Sequence, residues 1–156
     1  MKLTDEQITK LGKELPSWAV KEHPVKKGMS TIHPMAIIDR LNEVFGVAEW
    51  SFTTDFISCE KAVQKTQRGE RSVYVATVKG RLEIDDCVIE QYGGNTNDDA
   101  GDTLKGSATD ALTKIASYLG IGAQIYKGHG NTPQNADLSV LDGSDESIIN
   151  LDEDPI

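Results

Sequence analysis

The sequence has few of the features that mark membrane, disulfide-bonded or zinc-binding proteins. Its apolar runs are only a few residues long, whereas a membrane-spanning helix needs about 20 residues. The first ten residues, MKLTDEQITK, contain no apolar stretch of the kind found in secretory signals. Cys59 and Cys87 are the only cysteines and form no C-x-x-C pair, so we expect reduced thiols. These absences predict a cytoplasmic chain with no membrane partner.

Sequence motifs of catalysis and cofactor binding are also missing. The chain has no G-x-S-x-G, Walker A or dinucleotide-binding motif. The histidines His23, His33 and His129 do not stand at the spacing of metal ligands. The segment NTNDDAGD lacks the glycine position and the final glutamate of a calcium-binding loop. We therefore expect no metal, no cofactor and no enzymatic activity, with a small-molecule-binding or enzymatic α+β domain as the alternative.

Positive charge is scarce overall, but its distribution matters more than its sum. The formal net charge of −9 disfavours a polyanionic partner at first sight. Residues 131–156 hold seven of the 25 acids and no lysine or arginine, which leaves 18 acids against 16 bases in residues 1–130. We predict one near-neutral domain over residues 1–130 and a disordered acidic tail over residues 131–156.

Two helices are predicted in the N-terminal third from their start and stop signals. The first has a capping box between Thr4 and Gln7 and is expected to run to Pro16. The second, in HPMAIIDRLNEVFG, begins at Pro34 and ends at Gly46. Residues 21–31 between them are expected to form a loop and a short extended piece. The apolar faces of the two helices hold Ile8, Leu11 and Leu15, and Ile37, Ile38, Leu41, Val44 and Phe45.

Three strands and a third helix are predicted to follow. The strands are EWSFTTDF, RSVYVATVKGRLEI and CVIEQY, and the next segment, GGNTNDDAGD, is expected to be a mobile loop. The helix is predicted to begin at an Asp102 N-cap and to end at Gly120. This order predicts an α+β fold, in which an antiparallel three-stranded sheet packs on a helix after N-terminal helices. The buried stripe of that helix is expected to hold Leu104, Ala108, Ala111, Leu112, Ile115, Ala116 and Leu119.

Ten basic residues fall on elements where they can face a phosphate backbone. Four belong to EKAVQKTQRGER, which we predict to be a long hairpin arm between the first two strands. Two follow on one face of the second strand, two precede the second helix, and two lie opposite the apolar stripe of the last helix. A basic hairpin beside a basic strand face can track a single strand, although a solvated face is the commoner explanation. The ten residues are Lys26, Lys27, Lys61, Lys65, Arg68, Arg71, Lys79, Arg81, Lys105 and Lys114.

Two segments of the chain form a recognisable ordered pair of motifs. One is an apolar helix that ends Asn-Glu-x-Phe-Gly and is followed by a tryptophan. The other is a helix that reads Thr-Asp-Ala-Leu and leads to Leu-Gly-Ile-Gly and an aromatic residue. The residues concerned are Asn42, Glu43, Phe45, Gly46 and Trp50, then Thr109, Asp110, Ala111, Leu112, Leu119, Gly120, Ile121, Gly122 and Tyr126. In this order they resemble the Rad52-like single-strand annealing family, and its phage-encoded recombinases most of all, over roughly residues 15–128.

The resemblance implies a function in homologous recombination and DNA repair. It implies a β-β-β-α core that assembles into homo-oligomeric rings or open helices in a bacterial or phage-infected cell. It also implies a positive groove that holds one DNA strand for pairing with its complement, without nucleotide hydrolysis. At two positions the chain departs from the family pattern, and both departures weaken the inference that it has the family's DNA-binding groove. Thr113-Lys114 stands where the family has two adjacent basic residues, and Ala36 stands where it has an arginine.

The C-terminal sequence INLDEDPI resembles the tip of bacterial single-stranded DNA-binding protein, with isoleucine in place of the terminal aromatic. Three interpretations are open: the tail docks a host or phage replication or recombination protein, it competes with DNA for the basic groove, or it only adds solubility. The residues concerned are Asp152, Glu153, Asp154, Pro155 and Ile156.

The sequence favours an ATP-independent protein that anneals complementary DNA strands. A passive coat for single-stranded DNA and an acidic DNA mimic or scaffold are the other non-enzymatic alternatives.

Overall fold

The computed structural model describes residues 1–24 and 26–127. They form the predicted α+β fold, with an antiparallel three-stranded sheet in the order β3-β4-β5 and a long helix on one face. None of the helices in these two ranges is long and apolar enough to cross a membrane. The elements are α1 (Asp5–Gly12), β1 (Val20–Glu22), β2 (Ser30–Ile32), α2 (Pro34–Phe45), β3 (Trp50–Thr66), β4 (Gly69–Ile84), β5 (Cys87–Asn97), α3 (Ala100–Tyr118) and α4 (Ala123–Tyr126).

The first two strands of the sheet are much longer than the third. Pairing of β3 with β4 continues to Thr66↔Gly69 at the hairpin turn, whereas β5 stops pairing at Tyr74↔Asn97. Lys61 is the β3 partner of Tyr74. Residues 61–74, which we call the arm, therefore continue as two strands alone for about 17 Å, at about 3.4 Å per residue. The predicted basic hairpin is confirmed as part of the strands themselves.

Helix α3 lies so close to the sheet that glycine is required beneath it. A Cβ atom on Gly93 would stand 2.1 Å from the Ser107 carbonyl oxygen, and one on Gly80 would stand 2.8 Å from the Ala111 Cβ. The prediction that GGNTNDDAGD is a loop was therefore wrong in its first half. Residues 93–97 belong to β5, and Gly93 lets the backbone of α3 sit directly on the strand.

The ends and the buried face of α3 also differ from the prediction. Asp99, not Asp102, is the N-cap, and its carboxylate accepts a hydrogen bond from the Asp102 N–H at 2.9 Å. Thr103 and Ser107 are buried where Leu104 and Ala108 were expected. Their hydroxyls donate to backbone carbonyls one turn earlier, at 2.6 and 2.8 Å, so burial leaves no polar atom unpaired.

Helix α1 keeps its predicted start but ends earlier than predicted. Both capping-box hydrogen bonds between Thr4 and Gln7 are present, yet the helix stops at Gly12, four residues before Pro16. Ile8, expected on the buried face, is 54% exposed. The buried Arg40 guanidinium of α2 donates to the Lys10 and Lys13 carbonyls at 2.8 and 2.7 Å and to two neighbouring carbonyls at 3.3 Å. This clamp satisfies the carbonyls at the end of α1.

The core lies where α1, α2 and α3 meet the end of the sheet remote from the arm. Pro34 and Gly46 bound α2 as predicted, and Gly46 has a φ of +102°. The loop predicted at residues 21–31 includes a short antiparallel β1–β2 pair. Ile32 of β2 joins the same core as Ile84, the β4 partner of Trp50. The arm therefore projects away from the packed half of the molecule.

Candidate nucleic-acid interface

The arm holds the largest group of predicted DNA-binding residues. Its four cations, hereafter the arm cations, are all exposed, and the arm contains a single acid, Glu70. Among the residues that the structure describes, none of the four forms an ion pair. The Lys61 ammonium lies 5.9 Å from the centre of the Tyr74 ring, in a cation–π contact. The arm is thus a cationic projection with a net charge of +3. The arm cations are Lys61, Lys65, Arg68 and Arg71.

Strand alternation assigns the arm cations to different sides. The even-numbered β4 residues from Ala76 to Ile84 face α3, and we call this the helix-side face. Tyr74 and its partner Lys61 continue that face, as does Lys65 opposite Glu70. Arg71, opposite Gln64, lies on the other side, which we call the outer face. Arg68 stands in the two-residue turn, where the Thr66 hydroxyl donates to the Gly69 carbonyl at 2.8 Å.

The outer face of the sheet pairs its cations with carboxylates. The Lys79 ammonium lies 2.9 Å from Glu90, and Arg81 contacts Glu83 at 2.5 Å and Glu90 at 3.2 Å. The hydrogen bonds that Lys79 and then Arg81 donate to Glu90 lower the pKa of Glu90. The hydrogen bonds that Lys79 donates to Glu90, and Arg81 to Glu83 and Glu90, raise the pKa of both bases. Asp55 also lies opposite Lys79. Acids outnumber bases here, so DNA would have to displace carboxylates to reach Lys79 or Arg81.

The two helix lysines are paired as well. Lys105 lies 3.1 Å from Asp102, and Lys114 lies 2.8 Å from Asp110. The same Asp110 oxygen accepts the Gly94 N–H at 2.9 Å, so it caps a free donor on the edge of β5. Lys114 is therefore held beside a carboxylate that has a structural role. Together with the two outer-face bases, these lysines form a set that we call the paired cations: Lys79, Arg81, Lys105 and Lys114.

The last two predicted bases lie at the other end of the molecule. Lys26 and Lys27 follow β1 and are exposed. The Lys26 N–H donates to the His23 ring at 3.0 Å. Because β1 and β2 belong to the core end, these lysines are remote from the arm. One chain therefore brings together the arm cations but not all ten bases, and the predicted tail residues lie outside the described part.

Two aromatic side chains on this surface were not singled out from the sequence. Phe56 lies on the same face of β3 as Trp50 and Phe52, but 66% of Phe56 is exposed. Tyr74 is partly exposed on the same side. Alternation along β3 gives the face, whereas exposure depends on α3 crossing β4 and β5 rather than β3. Only the packed structure shows which aromatics stay uncovered.

These features define a β-β-β-α protein with a cationic hairpin arm. A family model described as "Rad52/22 family double-strand break repair protein" matches residues 4–139. The chain belongs to this family, which confirms the predicted family and assigns the chain to DNA repair and recombination. The predicted likeness to phage-encoded recombinases in particular stays a prediction. The match extends nine residues past the predicted domain boundary at residue 130. No curated protein matches the chain.

Proposed function

We propose that this protein binds single-stranded DNA and anneals complementary strands in recombination and repair, without ATP. Two observations support this: the chain belongs to a double-strand break repair family, and it presents four exposed cations on one projecting arm. The arm is the observation that carries the proposal, because four exposed cations stand together on it and none of them forms an ion pair with another described residue.

The physical basis of annealing is neutralisation without sequence reading. Two DNA strands repel each other through their phosphates, and lysine or arginine contacts reduce that repulsion while releasing bound counterions. Contacts to phosphate do not read base identity, so the bases stay available for pairing. A single arm with four cations binds weakly. Assembly into a ring or helix would repeat the arm along one strand and raise the overall affinity through multivalency.

No nucleotide hydrolysis or metal is needed for this mechanism. The free energy comes from base pairing between the two strands, and the protein lowers the barrier to their encounter. We therefore propose a non-enzymatic role with no cofactor.

A mixing assay tests the proposal directly. Two complementary oligonucleotides, one labelled with a donor and one with an acceptor dye, are combined with protein and EDTA in the absence of ATP. Faster pairing than in protein-free buffer supports annealing. Binding without acceleration would identify a passive coat, which protects single strands but does not pair them.

A DNA mimic or scaffold is the second candidate, because the chain carries a net charge of −9 and its outer sheet face is acidic. Such a protein would neither bind nor pair DNA. It would instead compete with DNA for a basic protein.

The tail from residue 131 is proposed to dock a replication or recombination protein of the host or phage. A chain truncated after residue 130 would lose that partner while keeping its DNA affinity. If the tail instead competes with DNA for the basic surface, the same truncation would raise that affinity.

A further inference from the structure

We propose that single-stranded DNA lies along the helix-side face of the arm, where Phe56 and Tyr74 stack on bases while Lys61 and Lys65 contact phosphates. This inference rests on the proposed single-strand binding and adds the binding face and the stacking residues. Proteins that bind single strands without sequence preference combine a positive track with exposed aromatic rings, because every base has a stacking surface.

A bulge in β3 brings Phe56 onto this face. The register shifts between Phe56 and Ser58, so Phe56 pairs with Val78 while Ser58 pairs with Thr77. Phe56 and Cys59 consequently project to the same side, the side that carries α3. Helix α3 covers β4 and β5 at their glycines, and it leaves Phe56 66% exposed. Stacking of a base on this exposed ring would remove apolar surface from water, which is favourable.

The second ring and the two lysines continue the track toward the arm tip. Tyr74 is four β4 residues from Val78, so the two rings lie about 13 Å apart along the sheet. Lys61 is the direct cross-strand partner of Tyr74, and Lys65 lies two residues beyond Val63 on the same face of β3. Only Glu70 opposes these two positive charges on this face of the arm. Stacking and phosphate contact can therefore alternate along one strand.

The outer face lacks this combination although it also exposes an aromatic ring. Tyr92 is 54% exposed and pairs with Lys79 across the strands. Lys79 and Arg81 are already bound to Glu90, and Asp55 lies beside them. A polyanion is repelled by that acidic surface and attracted by the arm. The carboxylates of the outer sheet face therefore disfavour DNA around Tyr92, and Tyr92 provides a matched control on the opposite side of the same sheet.

The test compares Phe56→Leu and Tyr74→Leu with the control Tyr92→Leu in the full chain. Each variant is titrated with oligo-dT at several salt concentrations. We expect the first two to bind about tenfold more weakly with an unchanged salt slope, since stacking carries no charge. Tyr92→Leu and Tyr74→Phe should bind like the wild type, because Tyr74→Phe keeps the ring. Thermal unfolding checks that all four variants fold.

Two results would overturn the inference while leaving single-strand binding intact. One is wild-type affinity in Phe56→Leu and Tyr74→Leu. The other is a change in oligomeric state, measured by sedimentation, that fully accounts for any loss of affinity, because Phe56 would then contact a neighbouring subunit. Failure of the wild-type chain to bind oligo-dT at all would instead refute the proposed function and the inference together.

Discussion

The most informative perturbation removes four positive charges at either of two places, so that the change in net charge is the same in both variants. One variant replaces the four arm cations by alanine, and its control replaces the four paired cations by alanine. Both lose four positive charges, so any nonspecific effect of net charge is equal. They differ in what the charges do in the folded chain: the arm cations are exposed and free of ion pairs within the described residues, whereas each paired cation contacts a carboxylate.

The expected magnitude follows from counterion release. Each lysine or arginine that contacts a phosphate of a single strand contributes about −0.7 to the slope of log K against log salt. Loss of all four arm contacts per subunit reduces the slope by up to about 2.8. Between 50 and 200 mM salt, the wild type should therefore lose about 50-fold more affinity than the arm variant loses. The control should change the slope less, because each paired cation already contacts a carboxylate and would have to exchange it for a phosphate.

Fluorescence anisotropy with labelled oligo-dT at four or five salt concentrations gives these slopes. Because the arm projects beyond the core, neither its folding nor its strand pairing should depend on its cations, and circular dichroism checks this. Equal slopes for wild type and arm variant, or a larger change in the control, would refute the assignment of DNA contact to the arm.

Three further predictions concern the scaffold and the outer face. Arg40→Ala should lower the free energy of unfolding by about 3 kcal/mol, measured in urea, because it leaves buried carbonyls at the end of α1 without a donor; a loss under about 1 kcal/mol would contradict the clamp. Gly93→Ala should destabilise the chain by about 3 kcal/mol or more through the clash beneath α3, whereas Gly12→Ala, which meets no atom within 4 Å, should be nearly neutral. Equal stability of the two would rule out the close approach. NMR titration should give Glu90 a pKa below 4.5, and Lys79→Ala should move this pKa back toward 4.5. The ion pairs of Glu90 should stabilise the fold when the pH is above the ordinary carboxyl pKa, and this stabilisation should be lost as the pH falls through the lowered pKa.

Local signals predicted the ends of elements well where one or two neighbouring residues decide them. The Thr4–Gln7 capping box and the ends of α2 at Pro34 and Gly46 depend on backbone geometry within one turn. Such features need no knowledge of the rest of the chain.

Features that depend on distant residues were missed for a physical reason. Gly93 resembles a loop residue until α3 is known to cross it, and α1 ends early because Arg40, 27 residues beyond Lys13, supplies hydrogen-bond donors. The site shows the same limit. Sequence identified the basic residues, but the register that sets Lys79 beside Glu90 is a property of the assembled sheet.

We propose that this chain speeds the pairing of complementary DNA strands through its arm. The decisive experiment measures the annealing rate of two complementary oligonucleotides in EDTA without ATP, for the wild type, the arm variant and the control variant at equal concentration. We expect the wild type and the control to accelerate pairing, and the arm variant to lose most of that acceleration. No acceleration by the wild type, or full acceleration by the arm variant, would show that the arm does not anneal DNA.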